Sequence, residues 1–214
     1  DAIQWVGRLP VCFADLPVDL MSLSAHKFRG PKGVGACIVR KGLELRSVQT
    51  GGNQERGLRS GTENTAGIVG LGCAAELAQH NLEAHAQQWK TLRDQFEEQV
   101  LNQIEGVRVN GAGQDRLPTV TNLEFADLEG EAALLALDMK GICASSGSAC
   151  ASGSLEPSHV LLAMGRRPEQ AHGSIRFSLG VGVDRADLDR VVEVLVEQVP
   201  QLRALLVDPL LIGS

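Results

Sequence analysis

Ser22-Leu23-Ser24-Ala25-His26-Lys27 is a short alternating run that ends in His-Lys and is followed at once by the turn residues Gly30-Pro31-Lys32-Gly33. Apolar, partly β-branched segments flank it, Val18 to Leu23 before and Val34 to Val39 after. The pattern predicts two short strands joined by a tight turn, a hairpin-like unit. Lys27 then stands where a strand gives way to a Gly/Pro turn. There the backbone is held while the long stem reaches into a cleft, as an imine-forming amine requires. Ser24 and His26 add a hydroxyl and an imidazole, which suit a phosphate group. A solvated surface lysine beside a turn has the same local sequence, so the distinction lies in the company Lys27 keeps further along.

The next segment, Gly51-Gly52-Asn53-Gln54-Glu55-Arg56-Gly57-Leu58-Arg59-Ser60-Gly61-Thr62-Glu63-Asn64, is polar and glycine-rich with no hydrophobic period. Glycines let backbone amides approach an anion, and Arg56, Arg59 and Thr62 add charge and a hydroxyl, although a solvated connector has the same composition. The order lacks the Gly-x-x-x-x-Gly-Lys-Ser/Thr of a nucleotide P-loop, which argues against ATP. From Thr65 to Glu105 the period turns helical, with Ile68, Leu71, Ala75, Ala78, Leu82, Trp89, Leu92 and Phe96 as the apolar stripe and Gly106 as the stop. One long helix, or two joined near His80-Asn81, is expected, and His80 and His85 read as solvated or satisfied polar residues. Val107-Arg108-Val109 and Thr119 to Phe125 read as strands, and Glu129 to Lys140 as a helix ended by Gly141. Pro157 to Gly165 reads as a short helix with Ser158 at its N-cap. Ser174 to Leu179 alternates, with Ile175, Phe177 and Leu179 on one face and Arg176 and Ser178 on the other. Arg176 is therefore aimed away from the apolar side, where its fork suits a carboxylate or is solvated. Asp184 opens an amphipathic helix with Leu188, Val191, Val192, Leu195, Val196, Val199 and Leu202 inward.

Five cysteines, Cys12, Cys37, Cys73, Cys143 and Cys150, are scattered with no Cys-x-x-Cys pair, which gives no zinc or dithiol signature. Cys37 and Cys73 lie in periodic apolar segments and are expected to be buried. Cys150 stands in Ala144-Ser145-Ser146-Gly147-Ser148-Ala149-Cys150-Ala151-Ser152-Gly153-Ser154, a tract of small residues that neither fills a core nor holds a helix. Its thiol is expected to be accessible on a loop, the competing reading being a plain flexible linker. The 214 residues are 43% hydrophobic and 21% charged, ordinary for a globular chain with a real core. A formal charge of −6 and no Lys/Arg block argue against direct nucleic-acid binding. No apolar run has the length of a membrane span and no basic-then-apolar signal opens the chain, so a reducing cytoplasmic compartment is expected. The chain starts at Asp1, and Asp1-Ala2-Ile3-Gln4 reads as the end of a strand whose beginning is missing, as in a piece of a longer protein.

Taken together these motifs resemble the C-terminal part of a cysteine desulfurase of the NifS/IscS type, a pyridoxal-phosphate enzyme of the fold type I, class V aminotransferase superfamily. The resemblance covers nearly the whole chain. It rests on Asp1-Ala2-Ile3-Gln4, on Ser24-Ala25-His26-Lys27 with Gly30-Pro31-Lys32-Gly33, and on Arg56 to Thr62. It rests further on Ser145-Ser146-Gly147-Ser148-Ala149-Cys150, on Pro157-Ser158-His159 and on Ser174-Ile175-Arg176-Phe177-Ser178-Leu179-Gly180, all in family order.

The resemblance implies an α/β fold: residues 1–66 as the C-terminal portion of the large cofactor-binding domain, and residues 67–214 as a small C-terminal α+β domain carrying the cysteine loop. It implies that Lys27 binds pyridoxal 5′-phosphate covalently, that Asp1 pairs with the pyridine nitrogen and that Gln4 bonds the ring hydroxyl. Ser24 and His26 would hold the phosphate, and Thr62 would reach the phosphate of the partner subunit in a homodimer. Arg176 would clamp the carboxylate of L-cysteine. Cys150 would take the sulfur as a persulfide for an acceptor protein such as an iron–sulfur scaffold, or for tRNA thiolation, and no metal enters the site. Family members carry upstream a ring-stacking histidine, another phosphate loop and an asparagine that this sequence lacks, so a missing N-terminal half is expected as a partner. A module without cofactor that binds sulfur-acceptor proteins, and a related aminotransferase or selenocysteine lyase, are the competing readings.

Overall fold

The computed structural model describes residues 1–146 and 156–207. The chain divides into two compact units, Asp1–Ala86 and Gln87–Ser214. Its composition of strands and helices is α/β, as the sequence implies. The family's division at residue 66 belongs to the proposal made below.

In the first unit β1 (Leu20–Ser24) pairs antiparallel with β2 (Gly35–Val39), with Ser22 opposite Cys37 and Ser24 opposite Gly35. Between them Ala25–Phe28 form a single 3-10 turn, closed by Arg29 in the left-handed region at φ 72. The core is small: Ala25, Phe28 and Ala74, flanked by Val6, Leu23, Val34 and Leu71. Helix α1 (Thr65–His80) starts at Asn64, whose side chain accepts the Gly67 N–H at 3.0 Å, an N-cap of the usual chemistry. Close approach dictates the small residues here. A Cβ on Gly70 would meet the Pro31 ring at 2.5 Å, and one on Gly7 would meet the Phe28 Cβ at 2.6 Å.

Three expectations change in this unit. Asp1 to Gln4 do not continue a strand: the Asp1 carboxylate accepts the Ile3 N–H at 2.8 Å, a local side-chain turn that competes with extended pairing. Only the Ala2 N–H reaches β1, donating to the Ser22 carbonyl at 3.0 Å. Along α1 the buried positions are Gly67 and Ala74, whereas Ile68 and Ala75 are exposed, because the contact face is the small-residue side. Cys37 and Cys73 are likewise exposed, Cys37 on a strand whose first three residues are all exposed.

In the second unit β3 (Val107–Val109), β4 (Val120–Phe125) and β5 (Ser174–Ser178) form an antiparallel sheet in that order. Alternation sends Leu123, Phe125, Ile175 and Phe177 into the core. Helices α2 (Leu82–Gln103), α3 (Gly130–Met139) and α6 (Arg185–Val207) contribute Phe96, Val100, Leu137, Leu195 and Val199 to the same cluster. The periodic segment thus yields two helices, α1 and α2, parted at Asn81. The Phe96 and Phe177 rings meet edge to face, centroids 5.1 Å apart. The buried stripe of α6 is rotated toward Val194, 1% exposed, which leaves Val196 at the rim at 36%. Two short helices, α4 (His159–Ala163) and α5 (Pro168–His172), precede β5. Ser158 occupies the N-cap position of α4 without a capping bond from its side chain.

Phe96→Ala should cost about 3–5 kcal/mol, because it empties a core site and removes an aromatic pair. Val196→Ala should stay within about 0.5 kcal/mol, as for rim positions generally. Urea denaturation followed by circular dichroism measures both.

Candidate active site

The turn carrying Lys27 is held from both sides. The Ala25 N–H donates to the Val34 carbonyl at 3.1 Å, and the Gly30 N–H donates to the Ala25 carbonyl at 2.8 Å. Ala25 is fully buried, so the turn is anchored by its first residue while Lys27 stays half-buried and His26 exposed. Ser24 Oγ and His26 Nδ1 lie 2.9 Å apart, which fixes the ring against the strand end. Ser22 and Ser24 share one face of β1, two residues apart. On that face the Asp1 carboxylate reaches Ser22: its Oδ1 accepts the Ile3 N–H at 2.8 Å and faces Ser22 Oγ at 3.5 Å. Oδ1 is thereby tethered, and Oδ2 keeps its lone pairs for another donor. Ser24 and His26 are thus joined at the end of β1 with Lys27 on the turn that follows, and Asp1 lies against Ser22, two residues back on the same strand. Their chemistry, a carboxylate, a hydroxyl, an imidazole and an amine, fits a phosphorylated pyridine aldehyde.

Gln4 is exposed, and its backbone carbonyl accepts from Arg8 Nη1 at 3.1 Å. Burial lowers the Arg8 guanidinium from its ordinary value. Thr62 is exposed, in a loop stapled by Ser60: its N–H reaches the Gln49 carbonyl at 3.2 Å and its Oγ the Thr50 carbonyl at 2.9 Å. Two residues of that loop, Glu55 (φ 50) and Arg56 (φ 59), take the left-handed conformation that non-glycine residues rarely adopt. Among the described residues no hydrogen bond joins Thr62 to the Lys27 turn.

Arg176 belongs to the second unit and lies on the polar face of its sheet, opposite Asn122 of β4. Beyond β5 its backbone forms a bridge with Ser145: the Arg176 N–H donates to the Ser145 carbonyl at 2.6 Å, and the Ser145 N–H donates back at 3.1 Å. Arg176 Nε is buried with no hydrogen-bond partner among the described residues. A buried guanidinium N–H without an acceptor carries a desolvation cost. Cys150 lies outside the described residues. Two features escape a reading of the sequence: the Ser22 hydroxyl beside Asp1, whose signal is its spacing of two from Ser24, and the Ser145 bridge, which has none.

The family model for aminotransferase class-V matches residues 1–191, and the chain belongs to that family. Among particular proteins it is 52% identical to a cysteine desulfurase of Trichormus azollae, over 96% of this chain and 51% of that protein. It is 48% identical to a cysteine desulfurase IscS of Dictyoglomus turgidum, over 96% of this chain and 52% of that one. A solved NifS-like protein superposes with a TM-score of 0.84 at 36% identity, covering 94% of this chain and 52% of its own. The chain thus spans about half the length of the curated relatives it matches.

Ser24→Ala should release the His26 ring. Nitrogen-15 NMR of the imidazole is expected to show one fixed tautomer in the parent chain and averaging between tautomers in the variant.

Proposed function

We propose that this chain supplies the C-terminal half of a cysteine desulfurase, converting L-cysteine to L-alanine and passing the sulfur to Cys150. The observation that carries the reading is the end of β1, where Ser24 and His26 are hydrogen-bonded beside Lys27 on a turn anchored by Ala25, and Asp1 bonds Ser22 of the same strand. The identity to cysteine desulfurases supports it. In this reading residues 1–66 complete a large domain with an N-terminal half, residues 67–214 form the small domain, and Thr62 serves the partner subunit of a homodimer.

Pyridoxal 5′-phosphate, bound through Lys27, would supply the electron sink that labilises bonds at the substrate's α- and β-carbons. Asp1 would pair with the pyridine nitrogen and keep it protonated. Gln4 would bond the ring hydroxyl, and Ser24 and His26 would hold the phosphate. Arg176 clamps the α-carboxylate through two parallel N–H groups, which orients the substrate sulfur. The Cys150 thiolate attacks that sulfur. The bond from sulfur to the β-carbon breaks, its electron pair stays with carbon, and protonation there gives the methyl group of alanine. Cysteine and a thiol become alanine and a persulfide, so no external oxidant is consumed, and an acceptor such as an iron–sulfur scaffold protein removes the sulfur.

With the N-terminal half supplied, borohydride should fix a pyridoxal-phosphate mass on this chain. Lys27→Ala should abolish that mass and Lys32→Ala should not; trapping that survives Lys27→Ala sinks the assignment. Incubation with cysteine should add one sulfur atom to the Cys150 peptide. Cys150→Ser should still bind cysteine yet release little alanine, and undiminished alanine would reject Cys150 as the acceptor. Arg176→Lys keeps the charge and loses the planar fork, so KM for cysteine should rise about tenfold or more.

A further inference from the structure

We propose that Arg166 guards the Arg176 guanidinium: with Gln170 it holds Glu124, and so keeps that carboxylate from occupying the place meant for a substrate carboxylate. The inference rests on the reading of Arg176 given above.

Glu124 stands opposite Ser174 in the β4–β5 register, and Asn122 stands opposite Arg176, so all four side chains share the polar face of the sheet. Glu124 and Arg176 are diagonal neighbours, about 7–8 Å apart along the backbone, which two long side chains can bridge. Both are incompletely satisfied in complementary ways. Glu124 Oε2 is a buried acceptor without a hydrogen bond, and Arg176 Nε is a buried donor without one. An arginine and a glutamate so disposed would ordinarily form an ion pair.

Their separation has a visible cause. Gln170 Nε2 donates to Glu124 Oε1 at 2.9 Å, and Arg166 Nε stands 3.5 Å from Oε2. Arg166 is itself fixed, since its Nε donates to Asn110 Oδ1 at 2.7 Å. Asn110 Nδ2 in turn donates to Asn122 Oδ1 at 2.6 Å and to Ser174 Oγ at 3.2 Å, and Ser174 Oγ donates to the Gln170 carbonyl at 2.7 Å. The ring of contacts thus closes on Glu124 and ties its carboxylate to Gln170 of α5 and to Arg166. Arg108, directly across on β3, is exposed and makes no hydrogen bond or ion pair with Glu124, so Arg166 is the cation that balances this charge. Without Arg166, Glu124 would be a buried carboxylate seeking a cation, and Arg176 lies one diagonal step off. An intramolecular carboxylate at that range competes with substrate at high effective concentration.

In the complete enzyme, Arg166→Met should raise KM for L-cysteine about tenfold with kcat little changed, an effect of the size found between residues of one ion-pair network. Glu124→Gln alone should leave KM within about twofold, and the double variant Arg166→Met/Glu124→Gln should return KM to the parent value. Arg166→Lys, which keeps the charge, should behave nearly as the parent. If Arg166→Met fails to fold, Arg166→Gln removes the charge with less loss of packing and carries the same expectation. A second readout needs neither cofactor nor substrate: in the chain itself, the Arg176 Nε–Hε NMR resonance should move downfield and exchange more slowly in the Arg166 variant, and revert in the double variant. An unmoved resonance, or a KM raised equally in the single and double variants, overturns the proposal. Unchanged KM in Arg176→Gln would reject the carboxylate clamp instead, and the NMR result would still decide whether Arg166 keeps Glu124 off Arg176.

Discussion

The register of β4 against β5 is the constraint on which the second unit depends. Leu123 opposite Ile175 and Asn122 opposite Arg176 put an apolar row on one face and a polar row on the other. Side chains on a strand alternate, so a slip of one residue would send Arg176, Asn122 and Glu124 into the cluster of Phe96, Leu137 and Leu195. Burying even one of those charges unpaired costs more than the aromatic pair at Phe96 returns. The hydrophobic core therefore fixes which face of the sheet carries Arg176, and a backbone bridge joins that residue to Ser145.

The first unit is held differently. Its core is three buried residues with four flanking ones, and much of its cohesion is backbone: the β1–β2 ladder, the double anchoring of the 3-10 turn, and the approach of Pro31 to Gly70. A two-stranded sheet is marginal by itself. Strand β2 reads Gly-Ala-Cys-Ile-Val, the composition of a strand covered on both faces, yet Gly35 to Cys37 are exposed. Lys27 thus sits on a turn whose local geometry is determined within a few residues, independent of a large core.

Wherever a periodic pattern meets a one-sided environment, the fold was legible. Ile175, Phe177 and Leu179 are buried and Arg176 is turned away, as alternation requires, and α6 keeps Leu188, Val192, Leu195 and Val199 inside. Periodicity misled where small residues make the contact. Ile68 and Ala75 are apolar at helical spacing, but the approach of Pro31 selects the side of α1 that carries Gly70 and Ala74. Cys37 and Cys73 looked buried for the same reason, since an apolar neighbourhood in sequence says nothing of what covers it. At the site, Ser24, His26 and Lys27 were legible because they are adjacent in the chain, whereas the tether of Asp1 by Ile3 and Ser22 depends on a turn that the apolar run of residues 2–3 conceals. The ring linking Asn110, Asn122, Arg166 and Gln170 to Glu124 joins three separate stretches of chain, and no spacing rule reaches across them.

A buried donor left without an acceptor costs on the order of 1–3 kcal/mol, a sizeable part of the stability of a domain of this size. Arg176 Nε carries that penalty on a strand whose other face is packed by Phe177 and Ile175, so the core offsets it. Glu124 stands at the diagonal position from Arg176 across the β4–β5 pair. It is committed to Gln170 and Arg166 by contacts that order α5 and the segment before it. In the role proposed for Arg176, its unpaired Nε–H is a donor that a substrate carboxylate satisfies, so the stability it costs is recovered on binding.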